Sequence, residues 1–213
     1  MWLPWRVMTT RPAPRRGRPP SGGREAILRT TLDLLREQGV ARFTTREVAR
    51  RAGVSEASIF YHFTDRPGLL QAVFAMGLEP LQGLDETPID DPDRVAVLHQ
   101  LTTAIEGFLD QSLPVLMAAQ SDVALREAMA AYLTAHDIGP HRGVRAVSRY
   151  LRSQQEQGLV DAAVDVDAVA TALVATCFLR VSQRQIMAHG SRLPSAERTV
   201  AMFAKLLDPA TAP

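Results

Sequence analysis

The sequence predicts an all-α fold, and three observations predict it. Apolar residues recur at three- and four-residue spacing along most of the chain. Ser, Thr, Asp, Gly and Pro punctuate these runs at helix-cap positions, and no run alternates apolar with polar residues long enough to build a sheet. With 213 residues and 46% hydrophobic content the chain can bury a real core. The expected limits are a basic, unstructured arm over 1–20, a small helical head over 21–81 and a larger helical bundle over 82–213.

Residues 1–23, which include "RPAPRRGRPPSGG", are too rich in Pro, Arg and Gly to bury apolar area and read as an extended arm. From Arg24 the pattern turns helical: Ile27, Leu28, Thr31, Leu32, Leu34 and Leu35 mark one face of a helix over about 24–38, with Gly39 as its C-terminal cap. Thr44, with Glu47 three residues on, makes a capping box for a second helix, and Phe43 and Val48 are spaced as a hydrophobic staple. That helix stops at Gly53. Ser55 caps a third, which is expected to turn Ile59, Phe60 and Phe63 inward. Thr64-Asp65 caps a fourth, with Pro67 in its first turn and Leu69, Leu70, Val73, Phe74 and Met76 on its apolar side, ending between Gly77 and Pro80. The Pro- and acid-rich segment 82–93 reads as a linker. Further helices are expected over 92–110, from Pro114 to 120, and over 121–135, 141–157, 165–187 and 195–207, with breaks at Pro114, Gly139-Pro140, Gly158 and Gly190 to Pro194.

Two short helices joined by a Gly-containing turn, the second with a small and polar outer face, make a helix-turn-helix. A helix entering a major groove about 12 Å wide needs short residues near its N-terminus, and Ser55, Glu56, Ala57 and Ser58 supply them. Charge supports the same reading. Residues 1–66 hold thirteen Arg and no Lys against six acids, a surplus of seven, so with a net charge of +1 the remainder carries a deficit of six. A basic head on an acidic body suits a polyanion partner bound at one end. Arg15, Arg16 and Arg18 in the arm are placed to reach into a minor groove.

Over residues 21 to 81 the chain resembles the N-terminal DNA-binding domain of TetR/AcrR-type transcriptional regulators. The resemblance is carried by the first helix, by "FTTREVARRAGVSEASIFYHF" and by "TDRPGLLQAVF". It implies an all-helical homodimer that binds a double-stranded DNA operator, with a variable C-terminal domain for a small effector whose binding changes operator affinity; repression is that family's usual outcome. It further implies that Thr45, Arg46, Ser55 and His62 face phosphates, and that Glu56, Ala57, Ser58 and Tyr61 face base edges or nearby backbone. Two departures stand out. The Tyr frequent in the family is Phe60 here, which leaves Tyr61 or His62 to supply a hydrogen-bonding group, and the frequent Lys at the start of the fourth helix is Arg66. Glu56 puts a carboxylate beside phosphates, where it must accept from a cytosine amino group or pair with Arg46 or another Arg.

In the bundle, Val166, Val169, Ala170, Leu173, Val174, Cys177, Phe178 and Val181 form one broad stripe and Val200, Phe203, Leu206 and Leu207 another. Together with the resemblance they point to dimerisation through the last two helices. Leu101, Ile105, Phe108, Met117, Tyr132 and Phe178 are the expected lining of an apolar effector pocket, with His99, Gln120, His136 and Cys177 as possible polar contacts.

Other functional classes find little support. No nucleophile stands at a recognisable spacing from a base, and no Gly-rich phosphate loop occurs, so an enzyme is not expected. One cysteine makes neither a disulfide nor a zinc cage, and His136 and His141 are separated by Gly139-Pro140, so no metal or cofactor is expected and a reducing cytoplasm is. The run Ala168 to Leu179 is too short for a membrane span, "MWLPWRVM" lacks the features of a signal peptide, and Met8 is an alternative start to Met1. The competing readings are a helical protein-interaction module and an activator without a small-molecule ligand.

Overall fold

A computed structural model describes residues 22–38, 43–78, 89, 91, 93–186 and 193–208. These residues form α1 (Gly22–Gln38), α2 (Thr45–Ala52), α3 (Glu56–His62), α4 (Arg66–Leu78), α5 (Arg94–Ala119), α6 (Val123–Ala135), α7 (Pro140–Glu156), α8 (Val166–Ile186) and α9 (Ala196–Leu206). Among the described residues there is no strand. The Gly39 cap, the arm with Arg15, Arg16 and Arg18, the alternative starts, most of the linker and the Gly190 break lie outside them.

Local chemistry sets the helix ends in the head. The Thr44 hydroxyl accepts from the Glu47 amide at 3.2 Å, and Gly53 ends α2 at φ +67°, a left-handed conformation that costs a side chain about 1–2 kcal/mol. The Ser55 hydroxyl accepts from the Ser58 amide at 3.1 Å, and the Asp65 carboxylate accepts from the Gly68 amide at 2.7 Å. The capping box is only half made, because the Glu47 carboxylate accepts from Arg50 and Arg51 instead. Charged guanidinium donors outcompete a single backbone amide for it.

Two expectations about packing need correction. Phe60 is 50% exposed, whereas Ile59 and Phe63 are buried. The helical period turns Phe60 by about 100° from Ile59, off the narrow stripe that a helix of seven residues presents to its neighbours. Pro114 was expected to break the chain, yet α5 runs unbroken from Arg94 to Ala119. Proline has no N–H to offer the carbonyl of residue 110. That carbonyl finds donors elsewhere: Arg36 of α1 and Gln185 of α8 each reach it at 3.0 Å.

The buried residues form two cores. The first holds Ile27, Leu34, Val48, Ile59, Leu70 and Phe74 of the head together with Val115, Ala118 and Ala119 from the end of α5 and Leu125 and Met129 of α6. The second holds Val97, Leu98, Leu101 and Ile105 from the start of α5 with residues of α7, α8 and α9. The head's core therefore continues past residue 81 into the bundle. At Gly77 a Cβ would stand 3.3 Å from the Gln111 Cβ, so the missing side chain lets α4 close on α5. Phe74 meets Phe108 edge to face at 5.6 Å beside it.

The exposure difference on α3 has a direct consequence. Ile59→Ala is expected to lower unfolding free energy by about 2–5 kcal/mol, and Phe60→Ala by less than about 1 kcal/mol, in urea titrations of the two variants. Equal losses would mean that Phe60 is core.

Candidate nucleic-acid interface

The α2–α3 corner exposes a polar surface on a rigid support. Arg46, Ser55, Glu56 and Ala57 are exposed, Ser58 is half-buried, and Tyr61 is 77% exposed. The Thr45 hydroxyl donates to the Glu56 Oε1 at 2.6 Å, tying the N-terminus of α2 to that of α3. This resolves the pairing of Glu56: its partner within the chain is Thr45, not Arg46. The Thr45 hydroxyl is correspondingly engaged in the free protein. The Ser55 and Ser58 hydroxyls lie 2.8 Å apart. His62 stacks between Tyr61 and Phe63, edge-on to the first at 5.1 Å and tilted to the second at 6.1 Å.

Many of the head's arginines serve the fold. Arg50 and Arg51 both bind the Glu47 carboxylate within α2, and Arg51 also reaches Glu37 on α1 at 2.5 Å, the pair that ties α2 to α1. Arg24 lies 5.4 Å over the Phe63 ring and Arg66 4.9 Å over the Phe43 ring. The Arg66 Nε is buried without a hydrogen-bond partner among the described residues, and its guanidinium packs on the Phe43 ring at the start of α4. Arg46 has no ion-pair partner among the described residues. The stacking roles of Arg24 and Arg66 escaped sequence reading, because each ring lies on a distant segment of the chain and no local spacing marks the pair.

The residues expected to line one apolar pocket are dispersed. Leu101 and Ile105 belong to the bundle core, and Phe108 and Tyr132 pack against the head core. Met117 and Phe178 are about half exposed. An open pocket of about 310 Å³ lies between α5, α8 and α9 and is lined by Thr102, Thr103, Glu106, Gly107, Asp110, Arg184 and Ala196. Glu106 is nearly buried and binds Arg180 at 2.6 Å and Arg184 at 3.1 Å. Of the candidate polar contacts, none lines this pocket: His99 faces Glu197 at 3.8 Å, His136 faces the Tyr132 carbonyl at 2.9 Å, Gln120 is exposed, and burial pushes the Cys177 thiol up to about 12. Among the described residues no three His, Cys, Asp or Glu side chains cluster as metal ligands.

On the outer side of the last two helices, Phe178, Leu179 and Ile186 of α8 and Met202 and Leu206 of α9 are exposed. By length and composition alone α8 could cross a membrane. Its other face is core, through Ala170, Leu173, Val174, Cys177 and Val181.

The fold and this corner define the class: an all-α protein with a helix-turn-helix head on a helical bundle. Residues 27–73 match the family model described as bacterial regulatory proteins, tetR family. The tetracycline repressor protein class C of Escherichia coli is 39% identical over 70 residues, 33% of this chain and 32% of that protein. CymR of Pseudomonas putida is 33% identical over 107 residues, 47% of this chain and 53% of that protein. The sequence matches thus span between about a third and a half of these relatives. Solved structures extend the likeness of fold to nearly the whole chain. A TetR transcription regulator from Haloarcula marismortui superposes with a TM-score of 0.66 at 19% identity, covering 88% of this chain and 99% of that one. GusR of Salmonella enterica gives 0.63 at 20% identity, covering 89% and 97%. Residues 27–73 of the head thus match the TetR-family domain, and the bundle shares the fold of solved TetR regulators.

Glu47 supplies a pH test of the internal ion pairs. Hydrogen bonds from Arg50, and then Arg51, hold its carboxyl at about 2 against an ordinary 4.5. A depressed folded pKa adds stability that is present above the ordinary value and lost as pH falls toward the folded one. Wild type is therefore expected to lose stability between about pH 4.5 and 2, and Glu47→Gln to lose less across that window in denaturant titrations at stepped pH. Identical pH profiles would remove the ion pairs from the head's stability.

Proposed function

We propose that this protein is a cytoplasmic, homodimeric, sequence-specific transcriptional regulator that represses by occupying a double-stranded DNA operator and is released by a small-molecule effector. The observation that carries the reading is the exposed polar N-terminus of α3, held against α2 by the Thr45–Glu56 hydrogen bond and backed by buried Ile59. In this reading α3 enters the major groove with Ser55, Glu56, Ala57, Ser58 and Tyr61 toward bases and adjacent backbone. Arg46 and His62 meet phosphates, and the arm arginines Arg15, Arg16 and Arg18 follow the minor groove. Arg66, stacked on Phe43, holds the fourth helix in place beside the phosphates. The exposed apolar residues of α8 and α9 support a homodimer that presents two heads to half-sites about 34–36 Å apart.

Glu56 gives the reading a sequence preference. A carboxylate only accepts hydrogen bonds, so it favours the amino group of cytosine or adenine and is repelled by the acceptor edges of guanine and thymine. The α5–α8–α9 pocket is a candidate effector site, whose walls mix apolar surface with Thr, Glu, Asp and Arg side chains and so suit a small, largely apolar ligand that carries a hydrogen-bonding group.

A gel shift with the chain's own upstream DNA at two salt concentrations tests the reading. The expected shift is sequence-dependent and weakens with salt; Arg46→Ala reduces the log–log salt slope by about 1. No sequence-dependent shift would favour a protein-interaction module. Glu56→Gln is expected to reduce discrimination between cytosine and guanine at one operator position by about 1–3 kcal/mol in competition binding, and an unchanged preference would show that Glu56 reads no base. In sedimentation, Ile186→Asp with Leu206→Asp should turn a dimer into a folded monomer, and a wild-type monomer at micromolar concentration contradicts the dimer.

A further inference from the structure

Asp110 is the residue on which three parts of the molecule converge. Because Pro114 cannot donate, the Asp110 carbonyl lacks the amide four residues on that an α-helix normally offers it. Arg36, in the last turn of α1, and Gln185, in the last turn of α8, both donate to it at 3.0 Å. The same two side chains reach the Asp110 carboxylate, Arg36 at 3.1 Å and Gln185 at 3.5 Å. Asp110 also lines the α5–α8–α9 pocket with Arg184, one residue before Gln185. It sits at the point on α5 where the packing changes over: Leu101 and Ile105 before it lie in the bundle core, and Val115 and Ala118 after it lie in the head core.

We infer that Asp110 is the positioning residue that sets the DNA-binding head against α8, and that Pro114 is in the helix because it leaves the Asp110 carbonyl open to donors from both sides. The inference rests on the DNA-binding reading above and adds its regulation. An ordinary helix carbonyl is already satisfied and transmits nothing. This one accepts from α1 and α8 at once, so a shift of α8, whether from a pocket occupant beside Arg184 or from repacking of the dimer face, removes one donor and changes how Arg36 and α1 are held. Loss of either donor widens the range of head orientations and lowers the fraction that matches both half-sites.

The test uses the full chain as wild type, Arg36→Met, Gln185→Met and the double variant, each with and without Pro114→Ala, which restores an amide at position 114 to donate to the Asp110 carbonyl. Fluorescence anisotropy on the fragment shifted by wild type gives affinity, and melting and sedimentation confirm that each variant is a folded dimer. Gln185→Met touches no DNA-facing residue, yet it is expected to weaken binding about fivefold or more. The double variant should lose less than the product of the two single losses, and the Gln185→Met effect should shrink to less than twofold in the Pro114→Ala background. Amide exchange across α1 repeats the test without DNA: Gln185→Met should raise exchange there only while Pro114 is present. An affinity change below twofold, or an effect that is the same in both Pro114 backgrounds, overturns the inference. If wild type shifts no fragment, the DNA-binding reading fails, and the exchange measurement alone still decides the role of Asp110.

Discussion

The structure depends on α5 remaining one helix through Pro114. Its first half is built into the bundle core and its second half into the head core, so a true break at Pro114 would divide the helix that carries both. An interior proline costs a helix about 3 kcal/mol, and here the freed carbonyl recovers two side-chain donors from distant segments, 74 and 75 residues away in sequence. Everything that places α2 and α3 in space, including the close approach at Gly77 and the Phe74–Phe108 contact, is referred to that continuous axis.

Charge in the head divides into two kinds, and the distinction changes what the basic surplus means. Arg50, Arg51 and Arg36 are paired with Glu47, Glu37 and Asp110, while Arg24 and Arg66 lie over aromatic rings. Apart from Arg50, whose partner lies on its own helix, these cations hold separate segments of the fold together. The basic surplus still favours a polyanion, but in the proposed function the contacts that orient DNA fall to fewer residues, with Arg46 foremost among the described arginines. Glu56 is similarly double in character, fixing the corner through Thr45 and presenting a carboxylate to whatever the corner meets.

The corner was legible in the sequence because its determinants are local. Thr44, Gly53, Ser55 and Asp65 each act within four residues, so their spacing states their role. The same locality explains the failures. Phe60 is as apolar as Phe63, and only the packing around a seven-residue helix decides which of them is buried. Pro114 reads as a break to any rule that sees the helix alone, since Arg36 and Gln185 become neighbours only in the fold. Glu47 fits a capping box until two arginines on its own helix compete for it. The α5–α8–α9 pocket was the least legible feature, because an apolar residue on a helix face looks the same in sequence whether it lines a cavity, fills a core or faces a second subunit.

Hydroxyl-radical footprinting on the shifted genomic fragment tests the central claim most directly, since it reads the placement of both heads at once. Two protected patches centred about one helical turn, 10–10.5 base pairs, or a multiple of it apart are the result predicted for a dimer whose heads are fixed by α5. A single patch, or protection that does not depend on sequence, would contradict it.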